Sequence, residues 1–234
     1  MNPEFWQERW QQQQIGFHEG HANRLLCRHW PEEIGAGCAR VFVPLCGKSA
    51  DLLWLRQQGH HVLGVELSEL ACRAFFEENG LPFEQTALGP FVRFHHDGLE
   101  LWCGDFFALT PEHLATVDAF YDRASLIALP PSMRRDYARH LARCLPAGSR
   151  GLLISLAYPE SAMAGPPFSV PDDEVSALFS PGFELTRCHH QPLADDNPLR
   201  QRGLVQASES VFLLERSGGS GRPEPGHMNG QQIG

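Results

Sequence analysis

The chain has 234 residues with 19 basic and 28 acidic side chains, a net charge of −9, which argues against a nucleic-acid partner because phosphate binding needs a basic face. Its length suits one sizeable α/β core and a small-molecule ligand. No apolar run approaches the roughly 18–20 residues of a membrane span, and the chain opens on polar Asn2-Pro3-Glu4 rather than a secretory leader, so a cytoplasmic protein is expected.

From the amino terminus, Asn2 can cap a helix with Pro3 at its first position, where proline's missing N–H costs nothing. Trp6 and Trp10 then fall four apart, on one helix face. Such a pair either docks on a core or covers a flat ligand. A second helix is expected from Asn23 to about His29, ending before Pro31, with Gly35-Ala36-Gly37 as a joint to the first strand. Residues 1–39 thus read as a helical lid on a single domain spanning residues 1–216.

The stretch from Arg40 to Glu69 organises the rest. An apolar run, Val41-Phe42-Val43, enters a turn at Leu45-Cys46-Gly47-Lys48; a helical pattern follows from Ser49, and a second apolar run from His61 to Val65 stops at Glu66. This is a βαβ unit with a ligand turn after its first strand and a carboxylate at the tip of its second. Gly47 allows close backbone approach, and Glu66, 66 − 47 = 19 residues on, is placed to accept both hydroxyls of a ribose. Ser49 can cap the helix, with Asp51 near its positive end. A phosphate loop is disfavoured, because its first glycine would fall where Phe42 stands. A nucleoside without a phosphate chain fits better. Cys46 sits in the turn, either as a nucleophile or as a small apolar packing group. The seven cysteines include no C-x-x-C pair and read as reduced thiols.

Downstream, Ser68 can cap a helix to Asn79-Gly80, and His96-Asp97-Gly98 lies between strands Phe91–Phe94 and Leu99–Cys103 as a hairpin turn. Gly104-Asp105-Phe106 then forms a turn beside the first ligand turn, where a carboxylate and an aromatic ring frame an adenine or serve only as turn and core. The run Val117 to Tyr121 ends in Asp122-Arg123. An arginine at a buried strand tip needs a partner, either a ligand or a carboxylate such as Asp122 or Asp105. Ser132 is expected to cap a helix to Leu145, Gly151–Leu156 to form a strand, and Gly165-Pro166-Pro167-Phe168 to close a substrate pocket. A short helix from Asp172 to about Phe179 and strands at Phe183–Cys188 and Ser210–Leu214 complete the pattern. Residues 217–234 read as a disordered Gly/Pro/Ser tail, in which Gly226-His227-Met228 looks like a cloning remnant. Neither His18-x-x-His21 nor Cys188-His189-His190 completes a four-ligand set, and no metal is expected.

Taken together, Pro44-Leu45-Cys46-Gly47-Lys48-Ser49, Gly64-Val65-Glu66-Leu67-Ser68, Gly104-Asp105-Phe106-Phe107, Tyr121-Asp122-Arg123-Ala124, Ala128-Leu129-Pro130-Pro131 and Gly165-Pro166-Pro167-Phe168 resemble the thiopurine S-methyltransferase family, its bacterial branch in particular. The resemblance covers about residues 6 to 215. It implies a class I, Rossmann-like α/β fold with a seven-stranded, mostly parallel sheet, helices on both faces and an N-terminal helical lid. It further implies S-adenosyl-L-methionine as cofactor, a small-molecule thiol as substrate, activity on selenium or tellurium species, and a monomer. Trp10, Leu45, Glu66 and Arg123 match cofactor-contacting positions of the family; Asp105 and Phe106 match its adenine-side turn, with different residue types. Phe17 and Phe168 match its substrate pocket, and Arg123 is the candidate catalytic residue. Two other readings compete. A nicotinamide-dependent dehydrogenase shares the strand, turn and acidic tip but needs the three-glycine fingerprint that is absent. A non-catalytic nucleoside- or metalloid-binding protein would rely on thiols and histidines that do not cluster.

Overall fold

The computed structural model describes residues 3–12, 20–35 and 39–218. Helices α1 (Pro3–Gln11) and α2 (Arg24–Glu33) precede the βαβ unit, which consists of β1 (Arg40–Val43), α3 (Ala50–Gln57) and β2 (His61–Glu66). Then come α4 (Glu69–Glu78), β3 (Glu84–Leu88), β4 (Phe91–His96), β5 (Leu99–Cys103), β6 (Ala119–Arg123), α5 (Pro131–Cys144) and β7 (Arg150–Ala157). The chain continues through α6 (Asp172–Phe179), β8 (Phe183–Pro192), α7 (Pro198–Gln201) and β9 (Ser208–Arg216).

The strands form one sheet in the order β3-β4-β5-β2-β1-β6-β7-β9-β8. The five central strands, from β5 to β7, are parallel, and β4 and β9 run against them at either side. Since β3 and β8 are antiparallel to those two, seven of the nine strands point the same way. The expected seven strands therefore become nine. One unforeseen strand, β3, is exposed at four of its five positions and carries no alternating apolar signal for a sequence reading to detect.

Side-chain alternation along the strands divides the core. Val41 and Val43 face the layer containing α2, α3 and α4, where Trp30, Leu52, Phe75 and Phe76 are buried. Phe42 faces the opposite layer, with Tyr137 of α5 and Val175 and Phe179 of α6. Caps fix where the helices begin. Ser49 Oγ accepts the Asp51 N–H, Ser68 Oγ accepts that of Ala71, and Asn23 Oδ1 accepts those of Leu25 and Leu26.

Two helix boundaries differ from expectation. α2 runs through Pro31 to Glu33, since a proline here deletes one intrahelical bond while Ile34 and Gly35 still donate to Trp30 O. α5 begins at Pro131, with no side-chain cap; proline at the first helical position takes the role assigned to Ser132. At the hairpin tip, Asp97 and Gly98 both have positive φ, 35° and 75°, as a two-residue turn of the primed type requires.

Candidate active site

The chain builds β2 and β5 on one side of β1 and then crosses to β6 on the other. At such a reversal the loops leaving the carboxyl ends of neighbouring strands part and open a crevice. A cavity of about 400 Å³ lies there, lined by Leu45 to Ser49 after β1, Glu66 and Leu67 after β2, Asp105 to Phe107 after β5 and Arg123 and Ala124 after β6. Further wall comes from Trp6 and Trp10 of α1, from Ile127 to Leu129, Met133 and Tyr137, and from Ile154 to Leu156 near the end of β7.

Glu66 is buried, at 6% exposure. Its Oε2 accepts the Gly47 N–H at 2.9 Å and its Oε1 the Ser68 N–H at 2.8 Å. Burial raises its carboxyl above the ordinary value, and these N–H donors oppose the rise. Each oxygen has further lone pairs, so the group remains able to accept two hydroxyls. The adjoining turn is tightly built. Cys46 N–H donates to Val65 O at 3.0 Å, and a Cβ on Gly64 would lie 2.6 Å from Cys46 Sγ, so only glycine fits beneath the turn. Gly47 has φ 54°, and a Cβ there would lie 3.2 Å from Trp10 Cζ2. Trp10 thus lies over the turn, itself 6% exposed. Leu45 and Ala124, at the tips on either side of the crevice, also hold positive φ, 45° and 63°, an arrangement that costs roughly 1–3 kcal/mol at each non-glycine residue and clusters at ligand sites.

Cys46 is buried, which pushes its thiol well up, and it packs in the core layer of α3 and α4. It is a packing group, since the reactive form of cysteine is the thiolate. Lys48 Nζ is bound to Glu78 at 2.6 Å, in keeping with a turn that does not cradle phosphate.

Asp105 is exposed and caps its own turn through the Phe107 N–H at 2.9 Å. Phe106 lines the cavity while its ring packs 5.0 Å, centroid to centroid, from Tyr137 and from His140. The turn and core roles of these two residues are therefore real and coexist with a place in the wall. Asp122, behind Arg123, accepts the Tyr137 hydroxyl at 2.7 Å and the Leu126 N–H at 3.2 Å. Its burial lifts its carboxyl to about 6.

For Phe168 the structure shows a packing role, and its place in the substrate pocket stays a proposal. The loop reaches the cavity through Pro166 and Pro167. Phe168 stands behind them, its ring 5.8 Å beneath the Arg134 guanidinium and against Gly165, where a Cβ would collide with the ring. Arg134, itself 2% exposed, holds Leu129 O through Nε at 3.0 Å and both Glu174 oxygens through Nη1 at 2.7 and 2.8 Å. Phe168 thus backs Pro166 and Pro167 and packs against a buried arginine. Phe17 and His18 lie outside the described residues, as does the tail beyond residue 218. Sequence reasoning missed Ser155, Leu193, Leu199 and Glu209, which line the far end. Ser155 is carried by β7 itself, while Leu193, Leu199 and Glu209 are brought there by the antiparallel return of β8 and β9, for which no local motif exists. Among the described residues no group of three or more His, Cys, Asp or Glu is arranged to hold a metal ion, and no helix is long and apolar enough to cross a membrane.

A crevice at the reversal point, a glycine-bearing turn after the first strand and a carboxylate at the tip of the second are features of Rossmann-like nucleoside-binding folds, and the similar proteins of known family make this one a class I S-adenosylmethionine-dependent methyltransferase. Solved structures share this fold: the 1,6-didemethyltoxoflavin-N1-methyltransferase of Burkholderia thailandensis, solved with S-adenosylhomocysteine, superposes with a TM-score of 0.64 at 14% identity over 92% of this chain and 87% of its own. An S-adenosylmethionine-dependent methyltransferase of Anabaena variabilis superposes with a TM-score of 0.62 at 14% identity over 92% and 96%. The family model of thiopurine S-methyltransferase matches residues 1–217. Curated thiopurine S-methyltransferases are 50% identical in Marinobacter nauticus, over 92% of this chain and 99% of the relative, and 49% identical in Nitrosospira multiformis, over 92% and 98%. The chain belongs to the thiopurine S-methyltransferase family, and its cofactor is S-adenosylmethionine.

Proposed function

We propose that the crevice holds the nucleoside of S-adenosylmethionine between the β2 and β5 tips, and an aromatic or heterocyclic thiol at the β6–β7 end. The observation that carries this reading is that Glu66 and Arg123 line one cavity from strand tips two positions apart in the order β2-β1-β6, roughly 10 Å at the usual strand spacing. The residues present fit the cofactor. Glu66 keeps lone pairs for the ribose hydroxyls, Leu45 and Gly47 offer backbone and apolar contact, Asp105 and Phe106 flank the base, and Trp10 covers the turn. A cavity of about 400 Å³ is within the range of small-molecule sites.

S-adenosylmethionine supplies a methyl group already activated by the sulfonium charge, so the enzyme needs no nucleophile of its own. What remains for the protein is alignment and exclusion of water. The apolar wall from Ile127, Leu156, Pro166 and Pro167 serves that end. Arg123 places a fixed cation at the acceptor side, lowering the cost of forming the sulfur anion from the thiol. The substrate is a free small molecule, and the protein works as a cytoplasmic monomer whose amino-terminal segment closes over the cofactor.

The test is the pH dependence of kcat/KM for a thiopurine in wild type and Arg123→Met. The variant's deficit is expected to be largest at low pH, where the thiol is protonated, and to shrink as rising pH ionises it in solution. A deficit constant with pH would assign Arg123 to positioning, and full activity would remove it from the reaction. Arg123→Lys, which keeps charge but loses the planar fork, should fall between. Cys46→Ser should retain substantial turnover.

A further inference from the structure

The turn after β5 is shaped from within and placed from without. Asp105 Oδ1 accepts the Phe107 N–H at 2.9 Å, Asp105 O that of Ala108 at 2.9 Å, and Phe106 O that of Leu109 at 3.1 Å. These local bonds fold the turn but do not fix where it stands over the crevice. Bonds to other elements do that. On the β2 side, Gly104 N–H donates to Glu66 O at 2.9 Å. On the α5 side, the His140 ring reaches Phe106 O through Nε2 at 3.1 Å.

The ring's two partners define its state. A carbonyl oxygen only accepts, so Nε2 carries the proton. Arg143 Nη2, which only donates, lies 2.9 Å from Nδ1, so Nδ1 is the bare nitrogen. His140 is thus a neutral imidazole in a single tautomer, and burial, together with the neighbouring Arg143 guanidinium, holds its pKa below the ordinary histidine value. The residue is 7% exposed. Its ring lies 5.0 Å from that of Phe106 and 5.3 Å from that of Phe107, inclined at 63° and 62°. Both phenylalanines line the cavity, and His140 stands behind them.

We infer that His140 is a positioning residue for the adenine base: it holds the Phe106 carbonyl, and with it the aromatic wall of Phe106 and Phe107, at the separation from β2 that the nucleoside requires. A flat base gains from such a wall only at contact distance, because a gap of about 0.5–1 Å forfeits roughly a quarter to a half of the dispersion attraction. The inference rests on the proposal that the nucleoside lies between the β2 and β5 tips.

The experiment compares His140→Gln and His140→Met. Glutamine sets an amide nitrogen where the histidine Nε2 lies and still donates to Phe106 O, while methionine has a similar length and no donor. Affinity for S-adenosylmethionine is measured by calorimetry, and kcat and KM for a thiopurine at saturating S-adenosylmethionine. His140→Met should bind the cofactor about 3- to 10-fold more weakly, the value of one neutral hydrogen bond, with kcat and the thiopurine KM unchanged. His140→Gln should restore most of the loss. Wild-type affinity in a folded His140→Met, equal losses in both variants, or a loss in all three quantities together would overturn the inference. In the wild type, the imidazole 15N shifts of His140 should report the neutral Nε2–H tautomer and move on adding S-adenosylmethionine; the other tautomer, or no response, would overturn it even if a variant does not fold. Glu66→Gln, run alongside, tests the placement itself. No loss of cofactor affinity there refutes the nucleoside end, and this inference with it, whereas a loss there with none in His140→Met overturns this inference alone.

Discussion

Each oxygen of Glu66 is already committed to one backbone N–H, from Gly47 and from Ser68, so the side chain is oriented before any ligand arrives. Preorganisation of this kind is what makes a single residue worth mutating. Glu66→Gln exchanges one acceptor for a donor and should weaken S-adenosylmethionine binding by about 1–3 kcal/mol, measured by calorimetry. Wild-type affinity should also fall as pH drops through the raised carboxyl value, because protonation spends an acceptor; the glutamine variant should be flat over the same interval. Affinity unchanged in a folded Glu66→Gln protein would sink the ribose assignment. This residue was legible in the sequence because its spacing from Gly47 and its place after an apolar run are local facts. Ser155 was not legible: in the chain it is one polar residue inside Leu153-Ile154-Ser155-Leu156, and only the assembled fold brings it to the cavity. Phe168 was legible as part of a pocket-closing loop, while its turn toward Arg134 depended on α5 and α6, far away in sequence.

At the scale of elements, the βαβ unit emerged within a residue of its expected limits because caps and apolar runs are written locally, and the α2 and α5 boundaries shifted where proline behaved as a helix residue instead of a stop. β3 was invisible for want of an apolar face, and α7, Pro198–Gln201, is too short to leave a periodic trace. The first helix is the element whose role bears most on the chemistry. Trp10 is simultaneously buried and in the cavity wall, which shows the docking reading of the tryptophan pair and leaves the covering one as a proposal. If the amino-terminal segment closes over the cofactor, amides of α1 should exchange faster without S-adenosylmethionine and gain protection with it, while those of β1 and β6 change little. Equal protection of α1 in both states would leave it a fixed part of the core.

For the molecule as a whole, the buried Asp122 carries a cost that depends on pH. Its carboxyl rises from 3.8 to about 6 in the folded protein, chiefly through burial, so the native state favours the proton. The associated stability is present below the ordinary value of 3.8 and lost as pH climbs through about 6; at ~1.4 kcal/mol for each tenfold change in proton affinity, the loss is about 3 kcal/mol. Asp122→Asn keeps an acceptor for Tyr137 and does not titrate. Its stability relative to wild type, from urea midpoints at pH 4 and pH 7, should therefore rise by up to about 3 kcal/mol between the two, whatever its constant offset. A difference that does not vary with pH would mean that Asp122 stays ionised and well solvated. The strand order has a consequence of another kind. Cavity residues from Leu45 to Phe107, proposed above for the nucleoside, and those from Ile154 to Glu209, proposed for the acceptor, occupy separate stretches of the gene on either side of Arg123. On that assignment, descendants of this chain can drift in what they methylate by changing their last third, while the donor grip is inherited intact.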